Sequence, residues 1–388
     1  MATVSTGLEQ LMDHRTSLLE GHRVGVIAHQ ASVDASLRHV VQLLRAQKSV
    51  KLVALFAPEH GLWGAVQDQV AIRSSRDPAT DLPVYSLYGE CRAPTRAMLK
   101  GIDLLICDLQ DVGTRYYTFV WTMALAMEAC AKAGIRFVVL DRPNPLGGAT
   151  VEGNLLDPRF TSFVGMASVP VRHGLTIGEL ALYLNERVCC DLTVVRMKGW
   201  SRRKLWEETG LPWVAPSPNM PTPDTARVYA GACLIEGTNL SEGRGTTRPF
   251  ELTGAPFIDP KRFAAALNAL ELPGVVWRPC FFLPAFHKHK GKLCGGIQWH
   301  VTDPKRFKPY LSGLGLIATA RRLYPREFAW RTPPYEFEQI KLPVDLLCGT
   351  DKIRRQIEAR RSLKRIESSW RSELRQFKNI RARYLLYS

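Results

Sequence analysis

The stretch VKLVALFAPEHGLWG, residues 50–64, joins an apolar run directly to a glutamate, a histidine and a glycine. A short run rich in Val and Leu is typical of a β-strand that is buried on both faces, as in a parallel sheet covered by helices. Glu59 and His60 therefore stand where a buried strand ends. Because ligands of open α/β sheets bind beyond the carboxyl ends of the strands, these side chains predict a functional site at that edge.

Other apolar runs repeat this pattern and alternate with helical segments. The runs are RVGVIA (23–28), LPVYSLYG (82–89), DLLICDLQ (103–110), IRFVVLD (135–141) and DLTVVRM (191–197). Helices are predicted over residues 117–134, ending at Gly134, and over 176–188, where Thr176 and Glu179 form a capping box. The alternation predicts an α/β fold with a mainly parallel sheet flanked by helices. Beyond about residue 200 the pattern becomes mixed, which predicts a domain boundary there.

Composition and charge limit the possible classes of protein. The chain has 388 residues and a formal net charge of +16, which favours anionic partners such as nucleic acid, acidic membranes or carboxylated small molecules. Nine cysteines, mostly within apolar runs, suit reduced thiols. We find neither an amino-terminal secretion signal nor an apolar run approaching the ~18 residues of a membrane helix. We therefore expect a cytoplasmic protein that binds no membrane.

Several functional classes lack their sequence signatures. The first strand is not followed by GxGxxG, and neither a GxxxxGK[ST] phosphate loop nor a GxSxG nucleophile elbow occurs. The spacing of Cys280, His287, His289, Cys294 and His300 matches no zinc pattern, so no metal is expected. The basic tail, residues 351–388, is expected to form one or two salt-bridged amphipathic helices and not a nucleic-acid-binding arm.

Polar residues also occur after other apolar runs and in later loops, as Glu59 and His60 occur after the second strand. They are Asp108, Asp111, Arg115, Tyr116, Tyr117, Asp141, Arg142, Asn144, Arg172, His173, Ser217, Asn219, Glu236, Asn239, Glu242 and Arg244. Together they predict a cleft of carboxylates, arginines and amides. Such a cleft suits glycoside hydrolysis, in which one carboxylic acid protonates the leaving oxygen and a second carboxylate assists the attack.

Glu59 is the predicted catalytic acid, because Phe56 and Trp63 beside it would raise its pKa by desolvation. A capping role in the turn is the structural alternative. His60 is expected to orient Glu59 or to bind a sugar hydroxyl. The predicted second carboxylate is Asp111, with Asp108 as its rival.

The quoted motifs together resemble a known family. FAPEHGLWG, DLQDVGTRYYTF, DRPNPLGG, VEGN, PVRHGLTIGE, PSPNMPT and EGTNLSEGRGTTRPFE resemble the NamZ-type exo-β-N-acetylmuramidases, long known as a domain of unknown function. The resemblance implies a Rossmann-like catalytic domain, residues 1–200, and a smaller α/β domain, residues 201–388, that ends in basic helices. It implies release of N-acetylmuramic acid from non-reducing ends of peptidoglycan fragments in cell-wall turnover, without metal or organic cofactor.

A muramic substrate would give the predicted binding residues specific roles. Its lactyl carboxylate would pair with an arginine fork, and glucosamine lacks that group. The candidates are Arg115, Arg142, Arg172 and Arg244 for the carboxylate, Tyr116 for a sugar face, Asn144 and Asn219 for acetamido or hydroxyl groups, and His173, Asn239 and Glu242 for the cleft wall. The alternative is a non-catalytic module that binds cell-wall fragments or other anionic polymers.

Overall fold

The computed structural model describes residues 3–388, and its first half is built on a seven-stranded sheet. The strands are β1 (Arg23–Ala28), β2 (Lys51–Ala57), β3 (Ser75–Arg76), β4 (Pro83–Ser86), β5 (Leu104–Asp108), β6 (Arg136–Leu140) and β7 (Leu192–Val195). Their order is β3-β4-β2-β1-β5-β6-β7, and every neighbouring pair is parallel except β3 with β4. The six strands predicted from apolar runs are thus confirmed, and the short edge strand β3 is additional.

The strand order explains where a ligand should bind. Without β3, the order β4-β2-β1-β5-β6-β7 is that of a doubly wound sheet. Strands β2 and β4 follow β1 on one side, and β5, β6 and β7 follow it on the other. All five residues of β5 are buried, as expected for a central strand covered on both faces. The switch point between β1 and β5 opens a crevice at the carboxyl ends of the strands.

Helices cover both faces of this sheet. They are α1 (Gly7–His14) and α2 (Val40–Ala46) on one face, and α3 (Phe119–Ala133) and α4 (Ile177–Val188) on the other. Gly134 ends α3 with a left-handed φ of 67°, and Thr176 and Glu179 form the capping box of α4. Both predicted helix boundaries therefore arise from local capping chemistry.

The second half carries a small antiparallel sheet of order β8-β10-β9, made of β8 (Leu252–Ala255), β9 (Val275–Phe282) and β10 (Cys294–Val301). Its helices are α5 (Pro223–Ala232), α6 (Pro260–Asn268), α7 (Pro309–Leu323), α8 (Pro343–Cys348), α9 (Lys352–Glu358), α10 (Leu363–Ser368) and α11 (Arg371–Arg381). One continuous apolar core runs from α3 and α4 through α5 and α7 to this sheet. The core therefore fixes the two halves against each other.

The basic tail differs from the sequence prediction of one or two helices. It forms the three helices α9, α10 and α11, because Arg360 adopts a left-handed φ of 54° and Ser362 then caps a new helix. The chain end returns to the first sheet, where the Tyr387 hydroxyl donates to Asp141 Oδ2 at 2.5 Å. Over residues 3–388, the structure contains no helix that combines the length and the apolar character needed to cross a bilayer.

Candidate active site

A pocket lies at the carboxyl ends of β2 and β5. The first half contributes the turn after β2 and the start of α3, and the second half closes the pocket with loops around residues 236–250 and 335–336. Four carboxylic side chains line it, namely Glu59, Asp68, Glu236 and Glu336. Aromatic side chains form much of the remaining wall, among them Tyr116, Tyr117, Tyr229 and Phe250.

Glu59 is held in the turn that follows β2. Its side chain is almost fully buried, at 5% exposure. Glu59 Oε2 accepts a hydrogen bond from the Thr118 hydroxyl at 2.7 Å, and Oε1 accepts one from the Gln69 amide at 3.2 Å. Both oxygens thus act as acceptors, which suits a carboxylate in a fixed orientation.

His60, the next residue in this turn, has a left-handed backbone with φ of 72°. Such a conformation is uncommon outside glycine and costs about 1–3 kcal/mol. The His60 Nδ1 atom donates to the Val66 carbonyl at 2.8 Å, which fixes the ring within the turn. The strained turn therefore aims both predicted side chains at the pocket.

Glu336 enters the pocket from a tight turn in the second half. The backbones of Tyr335 and Glu338 exchange two hydrogen bonds of 2.9 Å, and the central residues Glu336 and Phe337 have φ of 46° and 69°. Two left-handed central residues define a type I′ turn, which normally uses Asn and Gly. A glutamate and a phenylalanine in these places store backbone strain, and such strain is concentrated at functional sites.

The surroundings of Glu336 favour its neutral form. Burial raises the pKa of this carboxyl well above its ordinary value, and the nearby charges of Glu59 and Glu236 raise it further. The Tyr88 hydroxyl donates to Glu336 Oε2 at 3.0 Å and lowers the pKa, but this effect is smaller than that of burial. Glu336 is therefore the pocket carboxyl whose environment is built to retain a proton.

Arg244 joins three carboxylates at one wall of the pocket. Its guanidinium lies 2.8 Å from Asp68 and 2.8 Å from Glu236, and its Nε lies 3.4 Å from Glu242. It also lies over the ring of Phe250, 4.9 Å from the centroid. The positive charge of Arg244 is thus paired with carboxylates of the protein itself, and these ion pairs position Asp68 and Glu236.

Glu242 itself lies behind the pocket wall. Lys288 approaches it to 2.7 Å and His287 Nδ1 to 3.1 Å. Although burial opposes ionisation, the charge of Lys288, the hydrogen bond with His287 and the charge of Arg244 lower the pKa of Glu242 below the usual range. His287 thus pairs with a carboxylate, and His289 Nε2 lies 2.7 Å from the Asn239 carbonyl. Within residues 3–388, no three His, Cys, Asp or Glu side chains form a cluster suited to a metal ion.

Eight of the predicted residues line this pocket, namely Glu59, His60, Tyr116, Tyr117, Ser217, Asn219, Glu236 and Arg244. The hydroxyl of Tyr116 donates to the Ala230 carbonyl, so only its ring is available to a ligand. Asn219 donates through Nδ2 to Gln67 Oε1 at 2.7 Å, which leaves its carbonyl oxygen for other partners.

Asp111 and His173 lie outside the pocket. Asp111 Oδ2 accepts from the Gly113 amide at 2.7 Å and lies 3.7 Å from His173 Nε2. Burial raises the pKa of Asp111 to about 7 and lowers that of His173 to about 3, so burial favours the uncharged form of both side chains. The structure therefore does not bring the predicted second carboxylate to Glu59.

Asp108 and the arginines Arg142 and Arg115 also serve internal contacts. Arg142 forms two bonds with Asp108, at 2.6 and 2.8 Å, and both side chains are buried. Arg115 donates to four backbone carbonyls, including that of Cys348 at 2.7 Å at the end of α8. These contacts hold both guanidinium groups within the protein, and neither arginine lines the pocket.

Three further predicted residues fix loops. Asn144 Oδ1 accepts from the Leu146 amide at 2.9 Å, and Arg172 donates to the Leu146 carbonyl at 2.5 Å. Asn239 Oδ1 accepts from the Ala329 amide at 3.0 Å. Asn144, Arg172 and Asn239 therefore stabilise backbone turns and do not line the pocket.

Sequence reasoning did not single out Glu336, Tyr335 or Asp68. Tyr335 donates through its hydroxyl to Glu236 Oε2 at 2.7 Å and so completes the carboxylate wall. A signal was present in the segment PPYEFE, residues 333–338, where glutamates alternate with aromatic residues after two prolines. A glutamate between aromatic neighbours is a candidate for desolvation, as Glu59 was.

The fold and the pocket define a class of protein. They describe a doubly wound α/β protein with several carboxylates and aromatic rings in a pocket at the carboxyl ends of the strands. The chain belongs to the exo-β-N-acetylmuramidase NamZ family: the family's N-terminal model matches residues 24–224 and its C-terminal model matches residues 227–387.

Individual relatives agree with this assignment. The peptidoglycan β-N-acetylmuramidase NamZ of Bacillus subtilis (strain 168) is 47% identical over 386 residues, which is 99% of this chain and 91% of the relative. A crystal structure of a DUF1343 family protein from Bacteroides fragilis is 36% identical with a TM-score of 0.90, and all of both chains is covered. A second DUF1343 structure from the same organism is 30% identical with a TM-score of 0.79, covering 100% of this chain and 99% of the other.

Proposed function

We propose that the protein is an exo-acting glycoside hydrolase that releases N-acetylmuramic acid from the non-reducing ends of peptidoglycan fragments. The activity named for the Bacillus subtilis relative and the family match support this proposal. The observation that carries it is the presence of Glu59 and Glu336 in one pocket, with the pKa of Glu336 raised by burial and by the charge of Glu59.

The two carboxyl groups take different roles in this proposal. Glu336 retains its proton and donates it to the leaving glycosidic oxygen, and Glu59 acts as the carboxylate that assists attack at the anomeric carbon. The division rests on the raised pKa of Glu336 and on the two hydrogen bonds that Glu59 accepts. This assignment gives Glu336, and not Glu59, the part of the acid.

The rest of the pocket offers groups suited to a sugar. The rings of Tyr117, Tyr229 and Phe250 offer apolar faces. Asp68 and Glu236, held by Arg244, offer acceptors for sugar hydroxyls.

We place this activity in cell-wall turnover within the cytoplasm. Nine cysteines, six of them buried, are present as free thiols, which suits a reducing compartment. In this role the protein would act on small saccharides supplied by other enzymes of wall degradation.

The test is hydrolysis of para-nitrophenyl β-N-acetylmuramide by the wild type and by the E59Q and E336Q variants. We expect kcat to fall about 10²–10⁴-fold in each variant, because each loses one role in proton transfer or charge stabilisation. Glu338 belongs to the same turn but does not line the pocket, so E338Q is the matched control and should retain activity.

Absence of nitrophenol release by the wild type would contradict the proposal. Under the alternative, a non-catalytic binding module, the wild type binds muramic saccharides without turnover, and E59Q has no rate to lose.

A further inference from the structure

The charge within the pocket does not match the charge of the proposed substrate. Four carboxylic side chains line the pocket, and Arg244, which also lines it, is engaged by Asp68, Glu236 and Glu242. N-acetylmuramic acid carries a lactyl carboxylate, and a carboxylate placed among these groups would be repelled. The acid group of the ligand therefore needs a cation at the rim of the pocket.

Arg92 is an exposed cation beside the turn that carries Glu336. Its guanidinium carbon lies 5.0 Å from the centroid of the Phe337 ring and 5.7 Å from that of Phe163. Phe337 follows Glu336 in the chain and Phe163 precedes Val164, and both Glu336 and Val164 line the pocket. Arg92 therefore lies beside two segments of the chain that reach the pocket.

The aromatic support of Arg92 is fixed to the candidate acid. The rings of Phe163 and Phe337 pack against each other at 5.9 Å, and each contacts Tyr88, at 5.9 and 5.3 Å respectively. Tyr88 in turn donates its hydroxyl to Glu336. The position of the arginine platform is therefore tied to that of the reacting carboxyl group.

Arg92 also has free hydrogen-bonding capacity. The side chain is exposed, and across residues 3–388 no carboxylate lies within 4.0 Å of its nitrogens. A guanidinium stacked on aromatic rings keeps the donors in its plane available, and these donors match a carboxylate in a two-pronged arrangement. The rings limit the motion of the side chain, so less entropy is lost on binding.

We propose that Arg92, supported by Phe163 and Phe337, forms a carboxylate-binding subsite that recognises the lactyl group of the muramic residue. The inference rests on the proposed function for the identity of the sugar. It replaces the four arginines predicted from the sequence, each of which is engaged within the protein. Discrimination against N-acetylglucosamine, which has no lactyl group, would then arise at the rim and not inside the pocket.

The experiment measures binding by calorimetry and so does not depend on turnover. The ligands are N-acetylmuramic acid and its lactyl amide, which has the same shape but no charge. We expect R92A to weaken binding of the acid about 10-fold while leaving binding of the amide within about 2-fold, because one charge-assisted contact is lost. R92K should bind the acid with intermediate affinity, since it keeps the charge but not the planar fork.

R96A is the matched control, because Arg96 is also exposed and lies four positions along the chain, whereas only Arg92 stacks on Phe163 and Phe337. Equal affinity of R92A and the wild type for the acid would overturn the inference, as would an equal loss for acid and amide. A fall in affinity with R96A as large as that with R92A would also overturn it, because the effect would then reflect net charge alone. Failure of the wild type to hydrolyse the chromogenic substrate would contradict the proposed function separately.

Discussion

Replacement of Glu336 by glutamine is expected to remove activity and to stabilise the fold. Burial and the charges of Glu59 and Glu236 raise the pKa of Glu336 well above its ordinary value of 4.5. As the pH rises above about 4.5, the unfolded chain releases this proton while the folded protein retains it, so folding becomes less favourable. Glutamine has a similar shape and does not titrate, so E336Q escapes this loss.

The size of the effect follows from proton linkage. Each pH unit over which only the folded state keeps the proton costs wild-type stability about 1.4 kcal/mol relative to E336Q. With an unfolding entropy of roughly 2.1 cal/mol/K per residue, a chain of 388 residues shifts its Tm by about 1.2 °C per kcal/mol. The Tm advantage of E336Q should therefore grow by about 2 °C for each pH unit above pH 5, and level off once the pH passes the raised pKa.

The assay is differential scanning calorimetry at several pH values from 4 to 8, combined with kcat on the chromogenic muramide. E338Q is a control that should have the opposite effect on Tm. Hydrogen bonds, above all that from the Ile340 amide, lower the pKa of Glu338, so ionised Glu338 stabilises the fold at pH values above its ordinary pKa. Its replacement by glutamine should therefore lower Tm at neutral pH. A Tm difference between E336Q and the wild type that stays constant from pH 5 to 7 would refute the assignment of a retained proton to Glu336.

Three other substitutions examine the remaining carboxylates and arginines. R244Q should lose about 3–5 kcal/mol of unfolding free energy in urea, because Asp68, Glu236 and Glu242 would lose their shared cation. Stability close to that of the wild type would contradict a stabilising role for these ion pairs. D111N should keep kcat within about 3-fold, since Asp111 lies outside the pocket. A fall in kcat of ~10²-fold, as expected on loss of a general acid or base, would instead support Asp111 as the second catalytic carboxylate. D108A should also lose about 3–5 kcal/mol, because it leaves Arg142 buried without its partner; a loss below 1 kcal/mol in urea unfolding would argue against this.

Much of the fold could be predicted from the sequence because its signals are local. Apolar runs mark the six main strands, since parallel strands buried on both faces need uninterrupted apolar residues. The Thr176 and Glu179 capping box fixed the start of α4 for a similar reason. Glu59 could be predicted as a site residue because it lies at the end of such a run.

The remainder of the site depends on tertiary contacts that leave little trace in sequence. Arg115 and Arg142 have the residue type of ligand-binding groups, but their partners, a helix end and a buried aspartate, are remote in the chain. Glu336 lies in a type I′ turn, whose two central positions normally hold Asn and Gly. The residue types at Glu336 and Phe337 therefore did not predict this turn. Whether a charged side chain is free or engaged is decided by the folded neighbours.

The two halves of the chain depend on each other for the proposed chemistry. Glu59 belongs to the turn after β2, and Glu336 belongs to the second half, yet Tyr88, which lies just beyond β4, donates to Glu336. The first half therefore supplies one carboxyl group and positions the other. The left-handed backbone at Glu336 and Phe337 is unfavourable by about 1–3 kcal/mol per residue, and the continuous apolar core between the halves can offset it. The shared core thus holds a strained, desolvated acid in place, which neither half could do alone.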